Sequence, residues 1–142
     1  MGDAIYAYIE YDDGLLYPGA SSPTAFQQET DRVIDLTQNV GLSHGKDYIF
    51  MAALGSPRNP TTSKPLFGIR GLPPNTNWRI AKEFSDATNV SWLNLTDVEA
   101  ALAHMTLRDT DLSFAAFTTI EIMRLLARRL GPDRVRLIFQ IG

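Results

Sequence analysis

Seven side chains carry the chemistry this sequence could perform: Tyr48, Arg58, Asn59, Arg70, Trp78, Ser91 and Trp92. Guanidinium forks match carboxylates and phosphates, and indole faces stack on planar rings. A nucleotide-like anion needs both. All but Tyr48 lie between Ser56 and Leu93, a stretch that also holds Pro57, Pro60, Pro65, Pro73 and Pro74. Each proline removes a backbone donor and restricts the residue before it. The stretch is too broken to be a core element and too rich in Trp and Phe to be a disordered linker. The same residues also have an ordinary use, with Trp92 in the core and Arg58 and Arg70 tying down loop carbonyls.

Other chemistries find less material. There is no cysteine, which removes disulfides, thiolate metal sites and cysteine nucleophiles. His104-Met105-Thr106 is half of the His-x-Thr signature of two-histidine phosphoesterases, and His44-Gly45-Lys46 does not supply the second half. Asp12-Asp13 lacks the spacing of a calcium loop. Ser43, Ser56 and Ser91 have no nucleophile-elbow context. Gly55-Ser56-Pro57-Arg58-Asn59 is the nearest thing to an anion cradle, but it follows a helix instead of opening one. We therefore expect no catalytic residue, no metal ligand set and no cofactor.

The elements that must position these residues can be read in order. The 142 residues suit a single domain, 1–142. Residues 4–11 read as a strand, with Ile5, Ala7, Ile9 and Tyr11 on one face. Ser22-Pro23 opens a helix whose stripe is Phe26, Val33, Leu36 and Val40. A short helix follows from Asp47 to Leu54, and Leu66–Ile69 reads as a brief strand. Asn77 caps a helix from Trp78 to Phe84, and Val90–Leu93 is extended. Thr96 and Glu99 form a capping box. The longest helix spans Leu112 to Leu130; its apolar residues nearly encircle it, which predicts a central buried helix. Val135, Leu137, Phe139 and Ile141 alternate along a last strand. The fold class is α+β: a small mixed sheet with paired terminal strands, packed by the long helix and shorter ones.

The net charge of −3 gives no reason to expect a nucleic-acid partner. Acidic residues crowd the beginning (Glu10, Asp12, Asp13) and arginines the end (Arg124, Arg128, Arg129, Arg134, Arg136), so the poles are expected to meet in surface pairs. No run of 18 apolar residues exists, and Met1-Gly2-Asp3 begins no secretory signal. No membrane association and a cytoplasmic location are expected.

Asp47-Tyr48-Ile49-Phe50 with Arg58-Asn59, then Arg70-Gly71-Leu72-Pro73-Pro74, Ser91-Trp92-Leu93 and Arg136-Leu137-Ile138-Phe139, resembles a family of uncharacterised proteins from bacteriophages and bacteria. The likeness covers roughly residues 45–142 and the first strand, and makes residues 15–42 a peripheral insertion. Where the family carries histidine before its Ser-x-Ser-Trp, this chain has Thr88-Asn89-Val90. The resemblance implies a phage accessory protein in the host cytoplasm. Joined to the Arg/Trp loop, it leads to an anti-defence protein that sequesters a small anionic, nucleotide-derived signalling ligand. Two alternatives stay open: an inhibitor acting by direct contact with a host protein, and a small nucleotide hydrolase. Homo-oligomerisation is compatible with each.

Overall fold

The computed structural model describes residues 5–12, 32–42, 44–55, 66–73 and 76–141. Along them run β1 (Ile5–Tyr11), β2 (Val33–Asp35), α1 (Leu36–Asn39), α2 (His44–Ala53), α3 (Trp78–Glu83), β3 (Val90–Asn94), α4 (Leu95–His104), α5 (Phe114–Leu130) and β4 (Val135–Ile141). The strands form one sheet in the order β2-β1-β4-β3. All three pairings are antiparallel, so the expected mixed sheet narrows to an antiparallel one among the described strands.

The two terminal strands pair as expected, and they are the two central strands. Register runs from Ile5 opposite Ile141 to Tyr11 opposite Val135. A strand buried on both faces must carry apolar groups on both, and β1 does. Ala7 and Ile9 face the larger core with Leu93, Leu137 and Phe139, beneath Phe50 and Met51 of α2, Val98 of α4 and Ile120 and Met123 of α5. Tyr8 faces the other way, into a second core with Ile80, Phe84, Val90 and Ile138. There the Tyr8 and Phe84 rings meet edge to face at 5.7 Å. The sheet is therefore covered on both sides, with α3 alone among the described helices on its second side.

Several local expectations need correction. Residues 33–35 are the edge strand β2, not part of a long helix; Asp35 then caps the short α1 by accepting from the Gln38 N–H. The pairing of Ile9 with Ile34 makes the difference, because β1 needs a partner on its open side. Residues 32–42 are thus not peripheral: they supply a strand, and Leu36 and Leu42 are fully buried. The rest of the expected helix lies outside the described residues. Leu66–Ile69 forms no strand. The capping box sits two residues earlier than expected: the Asn94 side chain accepts from the Asp97 N–H at 2.8 Å, and Asp97 accepts from the Asn94 N–H at 3.3 Å. Glu99 is used elsewhere, on Arg124 at 2.7 Å.

α5 is not encircled by protein. Only Ala116, Thr119, Ile120 and Met123 of its residues are buried, while Phe114 is 83% and Leu125 60% exposed. It is fixed at both ends. Ser113 accepts from the Ala116 N–H and donates to the buried carboxylate of Asp47 on α2. Gly131, at φ 99°, closes the other end with its N–H on the Ala127 carbonyl. Phe139 lies fully buried under this helix layer. Phe139→Ala should cost about 3–5 kcal/mol, read as a drop in the urea midpoint; an unchanged midpoint would show that this face is not the core.

Candidate functional site

Glu10 points to the α3 side of the sheet and is fully buried. Its Oε1 accepts from Nε of Arg136 on the neighbouring strand at 2.5 Å, and its Oε2 from the Asn77 N–H at 2.5 Å. The two residues face each other in the β1–β4 register. The acidic and basic poles thus meet as expected, but in the interior and not as a surface pair. Burial pushes the Glu10 carboxyl up, opposed by Arg136 and by the Asn77 N–H. The same burial pushes Arg136 down, opposed by Glu10. Asn77 in turn caps α3, accepting from the Arg79 N–H at 2.9 Å.

Next to this pair stands Trp92 of β3. The Arg136 guanidinium lies 5.9 Å from its ring centroid and that of Arg70 lies 5.0 Å away. Arg70 is also 4.6 Å from the Phe67 ring. A continuous run Phe67–Arg70–Trp92–Arg136–Glu10 therefore leads from the surface into the interior. Cations over aromatic faces are favoured, more so when shielded from water.

The backbone explains how Arg70 arrives there. β3 is an edge strand, and the loop through Gly71 runs along it. The Gly71 N–H donates to the Val90 carbonyl at 2.8 Å and the Arg70 N–H to Ser91 Oγ at 3.0 Å. Arg70 Nη1 donates to the Trp92 carbonyl at 3.4 Å and to Asp97 at 3.0 Å. Asp97 thus serves the α4 cap and Arg70 together. Gly55, at φ 108°, is needed where this loop meets the end of α2: a Cβ there would lie 2.9 Å from the Phe67 carbonyl oxygen.

Of the seven residues singled out in the sequence, the structure brings together Arg70, Ser91 and Trp92. Trp78, at the start of α3, is 53% exposed, and among the described residues no ring or cation contact joins it to that cluster. Arg58, Asn59 and the Tyr48 side chain lie outside the described residues. His104 is exposed in the last turn of α4. Among the described residues no group of three or more His, Cys, Asp or Glu could hold a metal ion.

Sequence reasoning missed the outer face of α5. A groove of about 310 Å³ lies along it, one of about 370 Å³ sits at its N-terminal end beside Asp109 and Leu112, and one of about 620 Å³ lies on its flank between its last turns and Tyr11 of β1. The smallest of these is lined by Phe114, Phe117, Thr118, Glu121, Ile122 and Leu125, together with Arg128. At about 100° per residue, Phe114, Thr118, Glu121 and Leu125 fall on the side opposite Ile120 and Met123. The signal was present: apolar residues that encircle a helix cannot all face one core. Arg124 holds the helix in place from its flank, bonded to Asp109 at 2.9 Å, Glu121 at 2.8 Å and Glu99 at 2.7 Å. These carboxylates, Asp109 foremost, push its pKa above the usual arginine range.

Comparison with protein-family models, curated proteins and solved structures finds no match. The likeness noted in the sequence therefore carries no family assignment.

Glu10→Leu removes the carboxylate that Arg136 Nε and the Asn77 N–H share. It should destabilise by about 3–5 kcal/mol, and Glu10→Leu/Arg136→Met should recover most of that loss. A chemical-unfolding double-mutant cycle measures both; strict additivity would show that the two side chains act independently.

Proposed function

We propose that this protein works by binding another protein through the outer face of α5, and not by turning over a substrate. One observation carries the reading: Phe114 and Leu125, three turns apart on one face of a 17-residue helix, are 83% and 60% exposed. Single exposed apolar residues are ordinary, but a lined groove between two of them is the mark of a contact surface. Its amphipathic pattern fits recognition of a helix or a helix-like surface. In a phage accessory factor, which the sequence resemblance implies, such a surface suits inhibition by direct contact.

Capture of a small anionic ligand is the second reading, favoured by the free edge of Arg70. Only Nη1 of that guanidinium is committed to described protein acceptors, and its side chain is 28% exposed between two rings. The remaining edge is a fork that fits phosphate or carboxylate. Against this reading, Asp97 already neutralises the charge, and Arg70 has a complete task in holding the loop to β3.

The two are separated by a photo-cross-linker placed at Thr118, compared with one at the exposed Lys82 on α3. The contact reading expects a discrete protein adduct from position 118 only, lost on adding Phe114→Asp. The same adducts from both positions would overturn it. The ligand reading instead expects binding heat with ATP or a cyclic dinucleotide that Arg70→Lys weakens about tenfold or more. Absence of heat at millimolar nucleotide would remove it.

A further inference from the structure

The groove on the flank of α5, between its last turns and Tyr11 of β1, has a wall unlike the others. Its volume, about 620 Å³, falls within the range of about 300–1,000 Å³ in which small ligands are held. Tyr11, Leu125, Leu126 and Leu130 form its apolar part, and Arg128 and Arg129 are its charged residues. The grooves elsewhere on α5 each have a carboxylate in the wall, from Asp109, Glu121 or Glu99; among the described residues this one has none. Leu126, Arg129 and Leu130 follow at i, i+3 and i+4, as do Leu125, Arg128 and Arg129. The helix itself therefore lays leucine and arginine side by side.

These two arginines differ from those with structural tasks. Arg70 holds Asp97, Arg136 holds Glu10, and Arg124 holds Glu99, Asp109 and Glu121. Arg128 and Arg129 are exposed, and among the described residues neither forms an ion pair. The acids nearest in sequence do not supply one. Tyr11 packs against the larger core on the α5 side, whereas the charge of Asp12, next along the chain, favours the Arg136 cation on the α3 side. Exposed Asp133 stands beside exposed Arg134, and neither lines the groove. Arg128 and Arg129 also oppose the negative end of the helix dipole, a task that any cation in the last turn can fill. That task calls for neither a second cation nor an apolar trough beside it. Two guanidinium forks at successive positions can take one carboxylate or phosphate between them.

We infer that this groove binds a small amphipathic anion, a single aliphatic chain ending in a carboxylate or phosphate, with its head on Arg128 and Arg129 and its chain along the leucines and Tyr11. Apart from the Tyr11 hydroxyl, the apolar wall offers no side-chain donor or acceptor for a sugar or base, which selects an aliphatic body. The ligand is a dissolved monomer and not a bilayer. A chain can enter between α5 and β1, whereas a flat surface meets only the exposed Leu125 and the two arginines. The inference does not rest on the contact reading: the groove shares Leu125 and Arg128 with the outer face, but neither Phe114 nor Phe117. It is also separate from the Arg70 cluster, none of whose residues lines it.

Calorimetric titration with dodecanoate and with dodecyl phosphate, each kept below its micelle concentration, tests this. Both should bind, and both should raise the thermal unfolding temperature. Dodecyl maltoside and dodecyltrimethylammonium carry the same chain without the anion and should bind at least about tenfold more weakly. Octanoate should lose at least about tenfold as well, because it buries fewer methylenes. Arg128→Gln/Arg129→Gln should weaken dodecanoate about tenfold or more. Arg128→Lys/Arg129→Lys should retain most of the affinity, and Lys82→Gln on α3 should leave it unchanged. The substituted side chains are exposed, and thermal unfolding of each variant without ligand checks that it folds. Absence of both heat and stabilisation would overturn the inference, as would equal binding of the maltoside. Affinity indifferent to the glutamine pair would place the anion elsewhere and overturn it too. So would sedimentation with phosphatidylglycerol vesicles in the absence of binding to either monomer. The cross-link at Thr118 tests the outer face separately, so either reading can fail alone.

Discussion

Everything on the α3 side of the sheet depends on one buried ion pair. Glu10 and Arg136 sit directly opposite each other on the two central strands, where a shift of either strand by one residue would turn its charge into the apolar core and part the pair. Taking two charges out of water is costly, and hydrophobic groups of similar size can serve stability as well or better. What the pair supplies is definition. It fixes the β1–β4 register, and through the Asn77 N–H it anchors the start of α3. The Arg136 guanidinium also gives Trp92 a neighbour that a plain aliphatic residue would not. Chain ends separated by 126 positions are joined at this point. Their pairing closes a large loop, which makes a specific, hydrogen-bonded match more useful than a slippery apolar one.

The outer edge of β3 poses a related problem. An edge strand exposes unpaired backbone groups, and a sheet left open there invites further pairing. The loop through Arg70 and Gly71 covers it without being a strand. Gly71 donates to one carbonyl of β3, Arg70 Nη1 reaches another, and the Ser91 hydroxyl takes the Arg70 N–H. Residue types that suit anion recognition are thus also those that suit covering an edge, since both tasks call for multiple directed donors. Arg70 and Trp92 meet in space as their chemistry suggested, yet the contacts they make with each other and with Asp97 already account for their identities.

Legibility in the sequence followed the range of the determining interaction. The terminal strands, the Asn77 cap and the end of α5 at Gly131 were readable because period-two alternation and capping chemistry are local. β2 was not, because Val33, Leu36 and Val40 also satisfy helical spacing and only the need of β1 for a partner decides between them. The capping box was placed two residues late because Thr96 and Glu99 match the pattern as well as Asn94 and Asp97 do. The burial of Leu95 and the claim of Arg124 on Glu99 settle which is used. The depth of Glu10 was invisible for a simpler reason: nothing local says that the start of a helix, capped by a residue 67 positions away, will cover that face. Of the candidate site, the meeting of Arg70 with Trp92 was legible, and the outer face of α5 was not.

The inner and outer faces of α5 differ in burial and in what holds them. Its inner residues, Ala116, Ile120 and Met123, complete the core, and its ends are fixed by Ser113, Arg124 and Gly131. None of these requires Phe114 or Leu125, which touch the outside of a helix already held in place. Exposed apolar side chains gain little from folding, because they leave no water behind. Their gain comes only when a second surface covers them. A helix anchored this firmly has little ordering entropy left to lose on association, so even a short apolar seam can be used efficiently. The inner face and the outer face therefore answer to different constraints, and substitutions on one should be nearly silent on the other.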